Sequence, residues 1–305
     1  MMISKKYNFN MFKLINMDNY ILINFFVFAI VLFLYIHIYN NIKTSNYLEI
    51  YEFDTLSKEK LEEYCDLKQP LILNTNNLLD FNINTLLSLY NSFDIKLINK
   101  ENSDMFLPIK LSMAFDLFHK DTSANYISEN NTEFLNETSL EKNFSSTDMI
   151  LRPFNTSFIQ YDIIFGSINS YTLFKYSISS RNYFMVLSGK VEITLSPPKN
   201  YPYLYVNQNY EDLLFYSSID INNVKDIYKN DFDKVKLLRI ILEPNKLLFI
   251  PPFWFYSIKL LETNTLVAQY TYRTYMNSLA ISPQLFIQFL QNNNIKKNIT
   301  KIIKT

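Results

Sequence analysis

The stretch LEPNKLLFIPPFWFYSI, residues 242–258, holds two apolar runs separated by a pair of prolines. A similar pattern occurs upstream in NYFMVLSGKVEITLSPP, residues 182–198, where a glycine separates the runs. Short runs rich in aromatic and β-branched residues between turn signals are typical of strands. The second half of the chain contains eight such runs, which predict a sandwich or jelly roll. The predicted strands are Phe158–Phe165, Tyr171–Ile178, Tyr183–Leu187, Val191–Leu195, Leu237–Leu242, Leu247–Ile250, Phe255–Leu260 and Thr265–Tyr272.

The first half of the chain is predicted to mix helices and strands. Ser57 is a predicted N-cap, with an acidic residue in the first turn, for a short helix that ends at about Cys65. Gln69–Asn74 is an apolar run after a proline and predicts a strand, and Leu78–Tyr90 has the spacing of a helix.

Two further regions flank the predicted strands. Residues 120–156 are rich in Asn, Ser, Thr and Glu and have little periodicity, which predicts a helix fragment and a long surface loop. Near the C-terminus, Ser282 and Pro283 form a helix-start signal. This signal predicts a helix through Leu290, with an interrupted continuation to Ile303.

The N-terminal region contains a long apolar segment from Tyr20 to Tyr39, and no charged residue lies between Asp18 and Lys43. At ~1.5 Å per residue, roughly 20 helical residues cover the ~30 Å hydrocarbon core of a bilayer. A buried core helix and a cleaved signal peptide are the alternatives, but no A-x-A cleavage pattern follows the segment. The sequence therefore predicts an uncleaved transmembrane signal anchor over residues 20–42.

The charges around this segment predict its orientation. Lys5, Lys6 and Lys13 precede it, whereas only Lys43 follows closely. The positive-inside rule then places the N-terminus in the cytosol and the large domain in a lumen or outside the cell. Five N-x-[ST] sequons fit this placement, but about five are expected by chance from the Asn, Ser and Thr content. They lie at Asn130, Asn136, Asn143, Asn155 and Asn298.

Composition excludes several classes of function. The net charge is zero without a long basic run, so no nucleic-acid partner is expected. The two glycines, Gly166 and Gly189, do not form a P-loop or a GxGxxG motif. The single cysteine, Cys65, excludes an intramolecular disulfide and a CxxC metal knuckle. The abundance of Asn, Ile, Lys, Tyr and Phe is typical of an AT-rich genome.

The two opening stretches resemble motifs of the Jumonji-C or cupin-like family. The stretch at residues 182–198 is similar to a family motif in which a strand, a glycine turn and a second strand end in Pro-Pro. The stretch at residues 242–258 is similar to the family's "LEPGD-lfIPP-x-WWH-x-V" segment, and Asn245 stands where the family prefers Gly. Lys68–Leu73 and Ser217–Asp220 are supporting matches. The resemblance implies a mostly β (α+β) chain: a double-stranded β-helix, or cupin jelly-roll barrel, with flanking helices.

The predicted organisation therefore has four parts. These are a cytosolic tail at residues 1–19, the transmembrane anchor at 20–42, a cupin-like domain at 48–275 and a C-terminal helical extension at 276–305.

Family members that work as oxygenases hold Fe(II) with an HxD pair and a distal histidine, which leaves positions open for 2-oxoglutarate and oxygen. By the resemblance, the HxD positions fall on Tyr176 and Ile178, and the distal histidine falls on Tyr256. The lysine that pairs with 2-oxoglutarate in some relatives falls near Val191, next to Lys190. The resemblance thus implies a degenerate member without the iron ligands.

The histidine count supports this interpretation independently of the alignment. The chain has two histidines: His37, inside the predicted span, and His119. A site that needs two histidines cannot be assembled from His119 alone. His119-Lys120-Asp121 does spell HxD, but a solvated surface histidine is the ordinary interpretation. We therefore expect no metal, no cofactor and no catalytic residues.

Several hypotheses about function follow. The first is a catalytically inactive binding or structural module, with a protein or small-molecule ligand at a degenerate pocket lined by Tyr176, Asn182, Lys190, Trp254 and Tyr256. The same aromatic side chains could instead fill the barrel interior. Alternatives are a divergent hydroxylase with unusual metal ligands and an architectural membrane protein of a large DNA virus. The C-terminal helix is expected to form a homodimer or to pack on its own barrel.

Overall fold

The computed structural model describes residues 3–75, 82–100 and 106–294. The chain divides into two compact units, residues 1–43 and residues 44–305. The first unit is a single helix, α1, at Ile3–Ile42. Its segment Tyr20–Ile42 has 23 residues and a mean hydropathy of 2.6, with none of its apolar window buried. This helix is long and apolar enough to cross a membrane.

The second unit contains fifteen strands and eight helices among the described residues. The strands are β1 Tyr51–Phe53, β2 Leu71–Asn74, β3 Asp94–Asn99, β4 Phe106–Lys110, β5 Tyr126–Ser128, β6 Thr156–Gly166, β7 Lys175–Ser177, β8 Arg181–Ser188, β9 Val191–Ser196, β10 Val206–Asn207, β11 Leu214–Ser217, β12 Leu238–Leu242, β13 Lys246–Ile250, β14 Phe255–Leu260 and β15 Leu266–Thr274. The helices are α2 Lys58–Asp66, α3 Ile83–Tyr90, α4 Leu111–Lys120, α5 Thr132–Glu137, α6 Ser145–Leu151, α7 Asp226–Phe232, α8 Tyr275–Ala280 and α9 Ser282–Asn294. Two 3₁₀ helices lie at Leu140–Phe144 and Pro198–Tyr203.

The strands form two sheets that enclose a common core. The larger sheet has nine strands in the order β1-β2-β13-β8-β15-β6-β5-β3-β4, and the smaller has six in the order β10-β11-β7-β14-β9-β12. Alternate side chains from both sheets meet in one buried cluster, which includes Phe184, Ile193, Leu248, Tyr256 and Val267. The predicted jelly-roll fold with flanking helices is confirmed.

The outer face of the larger sheet is covered by the helices that precede β6. Residues 120–156 belong to this cover, so the predicted long surface loop is wrong. They form β5, α5, a 3₁₀ helix and α6, with Phe134, Phe144 and Leu151 buried. Phe144 stacks on Tyr161 at a ring-centroid distance of 4.9 Å. These apolar anchors are too few and too irregularly spaced to give a periodic signal.

Most of the predicted strands are found with ends shifted by one or two residues. The exception is Tyr171–Ile178, of which only Lys175–Ser177 is a strand, while Tyr171 forms an isolated bridge with Lys259. Six strands were not predicted: β1, β3, β4, β5, β10 and β11. Several of these have mostly exposed or partly exposed side chains, which weakens the alternating apolar pattern.

The predicted helices are also largely found. Ser57 caps α2 by accepting a hydrogen bond from the Lys60 amide. α3 begins at Ile83, and residues 78–81 of the predicted helix lie outside the described residues. The C-terminal helix runs to Asn294, and its predicted continuation to Ile303 lies outside them as well.

The turn at Gly189 carries the chain from β8 in the larger sheet to β9 in the smaller one. Gly189 has φ +71°, and a Cβ atom there would lie 2.2 Å from Thr265 Oγ1 and 2.8 Å from Thr265 Cα. Both the backbone conformation and the close approach therefore require glycine. Asn245, which stands where the resembling motif has glycine, also has a positive φ of 67°.

Candidate functional site

The barrel interior is apolar at one end and polar at the other. Val191 of β9 pairs with Leu260 of β14 at the apolar end, where the Gly189 turn closes the barrel. At the opposite end, β6, β7, β8 and β15 direct polar side chains inward, including Asp162, Ser177, Asn182 and Thr271. The polar end, which we call the barrel mouth, is therefore the candidate functional site.

A buried ion pair lies beside the mouth. Lys175 Nζ lies 2.5 Å from Glu129 Oε2, and both side chains are 4% exposed. Lys175 stands opposite Tyr256 in the pairing of β7 with β14. Its ammonium lies 5.7 Å from the ring centroid of Tyr216 and 6.0 Å from that of Tyr256, within the range of cation–π attraction. The centre of the barrel thus carries a fixed positive charge with its own counter-ion.

A second buried carboxylate, Asp162, is held by the backbone of the segment after β5. It accepts hydrogen bonds from the amides of Asn131 at 2.6 Å, Asn130 at 2.7 Å and Ile163 at 2.8 Å. Burial nevertheless raises the pKa of Asp162 to about 6, since the hydrogen bonds only partly offset the loss of solvation. These three hydrogen bonds fix the Asp162 carboxyl group in one wall of the mouth.

The mouth contains a cavity of about 420 Å³, which we call the mouth cavity. Asn182 and Arg273 line it, and both are buried, with exposures of 1% and 9%. Asn182 Oδ1 and Arg273 Nε have no hydrogen-bond partner among the described residues. Neither atom is accessible to water, so neither faces the open space of the cavity. The cavity itself is lined by other polar side chains, among them Gln160, Gln269 and Thr271.

The structure brings some of the sequence-predicted pocket residues together. Trp254 and Tyr256 are fully buried in the cluster between the sheets, and Asn182 lines the mouth cavity. The indole Nε1 and the Tyr256 hydroxyl lack partners among the described residues, and burial raises the pKa of that hydroxyl. The two aromatic side chains fill the interior rather than an open pocket.

Tyr176 and Ile178 lie elsewhere, which corrects their expected placement. They belong to a separate cluster outside the barrel, where the Tyr176 ring stacks on Phe215 at 5.0 Å. Tyr176 pairs with Phe255, one residue out of step with the inward-facing Tyr256. Because side chains alternate between the faces of a strand, Lys175 and Ser177 are the inward positions of β7.

Lys190 is also away from the mouth. It follows the Gly189 turn at the apolar end and pairs with Glu243 at 3.1 Å on the surface. Val191, where the resemblance placed the 2-oxoglutarate lysine, is fully buried among apolar residues.

The residues at the mouth do not fit the iron centre that oxygenases of this fold contain. The inward position opposite Tyr256 holds the Lys175 ammonium, which repels a metal cation and already occupies the Glu129 carboxylate. Within residues 3–75, 82–100 and 106–294, no group of three His, Cys, Asp or Glu side chains could hold a metal ion. Sequence reasoning missed both Lys175 and Glu129, although the inward-outward alternation of a Lys-Tyr-Ser strand was a signal for Lys175.

The remaining reactive residues lie outside the mouth. His119 is exposed on α4 with Nδ1 2.8 Å from the Phe115 carbonyl oxygen, while Asp121 accepts hydrogen bonds from Ser123 and Asn125. Cys65 is buried, with its sulfur 3.3 Å from the Tyr183 hydroxyl, and burial raises the pKa of its thiol. Both residues have local structural roles.

The C-terminal helix α9 contacts its own barrel through Leu285 and Gln288 and leaves other side chains exposed. Leu285 packs against the cluster around Tyr176, whereas Phe286 and Phe289 are exposed. The expected homodimer through this helix stays a prediction.

Comparison with known protein families gives a match over the barrel. A sequence model described as a cupin-like domain matches residues 96–278, more than half of the chain. This range contains the larger part of both sheets and all the mouth residues described above. No curated protein matches the chain.

Proposed function

Since the chain belongs to the cupin-like domain family, as its two opening motifs predicted, we propose that its barrel is a membrane-anchored binding module for a small polar ligand. In this proposal the barrel does not act as an iron oxygenase. The mouth cavity and its polar lining carry the proposal. The domain limits predicted from the sequence, 48–275 with a C-terminal extension, are part of it.

The size and chemistry of the cavity support a small polar ligand. Its lining includes amide, hydroxyl and charged side chains, among them Gln160, Gln269 and Thr271. The cavity volume of about 420 Å³ is within the usual range for small-molecule sites, about 300–1,000 Å³.

The charge at the barrel centre supports a role without a metal. Lys175 and Glu129 satisfy each other at 2.5 Å, so the Glu129 carboxylate needs no added cation. A carboxylate that is already ion-paired is a poor metal ligand, and the chain has no pair of histidines in the barrel to compensate.

Ligand binding can be tested with the full-length protein in detergent micelles. We expect some members of a chemically diverse small-molecule library to raise the thermal unfolding midpoint, since a ligand at 100 times its Kd stabilises by about 2.7 kcal/mol. Gln160 lines the cavity, so Gln160→Trp should fill it and abolish these shifts. Lys190→Trp, at the other end of the barrel, is the matched control and should keep them.

Two results would contradict the proposal. Shifts that persist in Gln160→Trp would place binding elsewhere. Stoichiometric Fe(II), Mn(II) or Zn(II) together with 2-oxoglutarate turnover would favour the divergent hydroxylase instead.

The anchor is proposed from the length and composition of α1. Its apolar segment of 23 residues would span roughly 35 Å at ~1.5 Å per residue, enough for a ~30 Å hydrocarbon core. The lysines before the segment support a cytosolic N-terminus and a lumenal or external domain.

Membrane insertion and orientation are tested by two separate measurements. We expect the full-length protein to stay with membranes after alkaline carbonate extraction, and a variant without residues 1–43 to be released. Asn136, Asn143 and Asn155 are exposed, so a lumenal domain should carry glycans that a glycosidase removes with a shift in mass. Extraction of the full-length protein by carbonate would contradict the anchor, and a glycan-free domain in a glycosylating host would argue for the opposite orientation.

A further inference from the structure

The segment at residues 45–50, which we call the stalk, is built into the barrel. Gln69, two residues before β2, is 4% exposed and holds the stalk through its side-chain amide. Its Nε2 donates to the carbonyl oxygens of Tyr47 at 2.6 Å and Glu49 at 2.8 Å, and its Oε1 accepts from Ser45 Oγ at 2.5 Å. A buried amide with these three bonds fixes the stalk to the edge of the larger sheet.

The stalk is bound to the smaller sheet as well. Asn46 Oδ1 accepts a hydrogen bond from the Lys199 amide at 2.9 Å, in the 3₁₀ helix that follows β9. The side chains of Leu48 and Ile50 pack against the buried cluster between the two sheets. Because both sheets hold it, the stalk moves with the barrel and does not act as a flexible linker.

The free tether before the stalk is therefore very short. Only Lys43 and Thr44 lie between the apolar segment, which ends at Ile42, and the first bonded residue, Ser45. Three residue steps span at most roughly 10 Å. If Ile42 ends the ~30 Å hydrocarbon core, Ser45 lies in or just outside the headgroup layer, since the whole bilayer is about 40–45 Å thick.

We propose, on the basis of the anchor proposed above, that the barrel surface around the stalk lies in the lipid headgroup layer. This surface, which we call the stalk face, is formed by Tyr47, Lys199 and Tyr201. Tyr47 is 74% exposed and Tyr201 is 41% exposed, and Lys199 is exposed between them in sequence. Tyrosine has an apolar ring and a polar hydroxyl and is enriched where a membrane meets water, and a lysine ammonium reaches lipid phosphates.

The charges of the stalk and its face do not favour anionic lipids over neutral ones. Lys199 supplies one positive charge, and Glu49, which is exposed on the stalk, supplies one negative charge. These charges offset each other at an anionic surface. The tyrosine rings and the short tether therefore hold the face at the membrane, and phosphatidylcholine is a sufficient partner.

The test places a tryptophan on the stalk face of the full-length protein in phosphatidylcholine vesicles. Trp254→Phe removes the native fluorescence, because Trp254 is the single tryptophan of the chain. Tyr47→Trp and Tyr201→Trp are then made separately in this background. We expect phosphatidylcholine with a nitroxide on its headgroup to quench both strongly, and aqueous acrylamide to quench both weakly, because headgroups cover them.

Ile168→Trp is the matched control. Ile168 is 37% exposed, close to Tyr201, and lies beside Asn264 at the apolar end of the barrel. The Ser188 hydroxyl donates to the Asn264 carbonyl just before β9, whereas the stalk meets the chain just after β9. A strand of six residues separates these ends by roughly 20 Å. At this position we expect strong quenching by acrylamide and little by the labelled lipid.

A longer tether tests the cause of the contact. Ten Gly and Ser residues inserted between Lys43 and Thr44 add a root-mean-square reach of roughly 16–19 Å. We expect the tryptophan at position 201 to lose most of its lipid quenching and to gain acrylamide quenching, while the protein stays in the vesicles.

The outcomes separate this inference from the proposed anchor. Protein that resists carbonate extraction, yet is quenched at positions 47 and 201 as at position 168, overturns this inference alone. Lipid quenching at position 201 that survives the longer tether also overturns it. Stronger lipid quenching in vesicles with phosphatidylserine overturns the assignment to the tyrosine rings. Protein that carbonate releases overturns both the anchor and this inference.

Discussion

Replacing Glu129 with glutamine should lower the free energy of unfolding by about 3–5 kcal/mol, because it leaves the Lys175 ammonium buried without a counter-ion. Lys175→Met should have a similar cost for the opposite reason. It would leave the Glu129 carboxylate unpaired in the neighbourhood of Asp162, which is itself buried and accepts only backbone hydrogen bonds. Urea denaturation of the full-length protein, followed by Trp254 fluorescence, measures both.

The double variant Lys175→Met/Glu129→Leu distinguishes the cost of leaving one charge unpaired from the cost of losing the ion pair itself. Apolar side chains of similar volume often replace a buried ion pair without loss, so we expect the double variant to recover most of the lost stability. The exposed pair of Lys190 and Glu243 provides the control, and Lys190→Met should leave the free energy of unfolding nearly unchanged. Single variants that unfold within 1 kcal/mol of the wild type would show that the pair is not buried as described.

Replacing Trp254 with alanine should also cost about 3–5 kcal/mol, through the cavity left in the core between the sheets. Trp254 is fully buried in that core, in the turn just before β14, and its backbone amide bonds to the Pro251 carbonyl. Trp254→Phe should cost clearly less. Phenylalanine keeps much of the apolar volume and removes an indole N–H that has no partner among the described residues.

The stability of the Trp254 variants is measured by thermal or urea unfolding followed by far-UV circular dichroism, because replacing Trp254 removes the tryptophan fluorescence. Phe154→Ala is the control: that side chain is 76% exposed, and its removal should change stability by no more than about 0.5 kcal/mol. A Trp254→Ala variant as stable as the wild type would mean that the indole does not fill the barrel core.

The sequence predicted the barrel because its strands carry strong local signals. The runs around Gly189 and Pro251 have apolar side chains bounded by turns, and the structure places them in both sheets. Gly189 itself was a reliable marker, since its positive φ and its approach to Thr265 exclude other residues. The cover at residues 120–156 had no such signal, because its buried side chains come from short helical turns with different orientations.

The mouth could be predicted only in part. The resemblance placed Tyr176 in the pocket by its distance in sequence from the motif at residues 182–198, but the chain crosses from the smaller sheet to the larger one between β7 and β8. A residue count across such a crossover does not preserve which face a side chain occupies, and a shift of one residue reverses it. Glu129 is 46 residues from Lys175 in the chain, and no local pattern links the two. Their pairing depends on how β5 and β7 are brought together by the whole barrel.

The ammonium at the centre of this barrel has a consequence for the life of the protein in a cell. A metal centre must be loaded after synthesis, and it can be lost to chelators or starved by low iron supply. Here the positive charge next to Glu129 is part of a lysine side chain and arrives with the polypeptide itself. If the barrel binds its ligand without a metal, as proposed above, its maturation should proceed at the same rate in iron-rich and iron-poor cells, and its abundance should not depend on the iron supply of the cell.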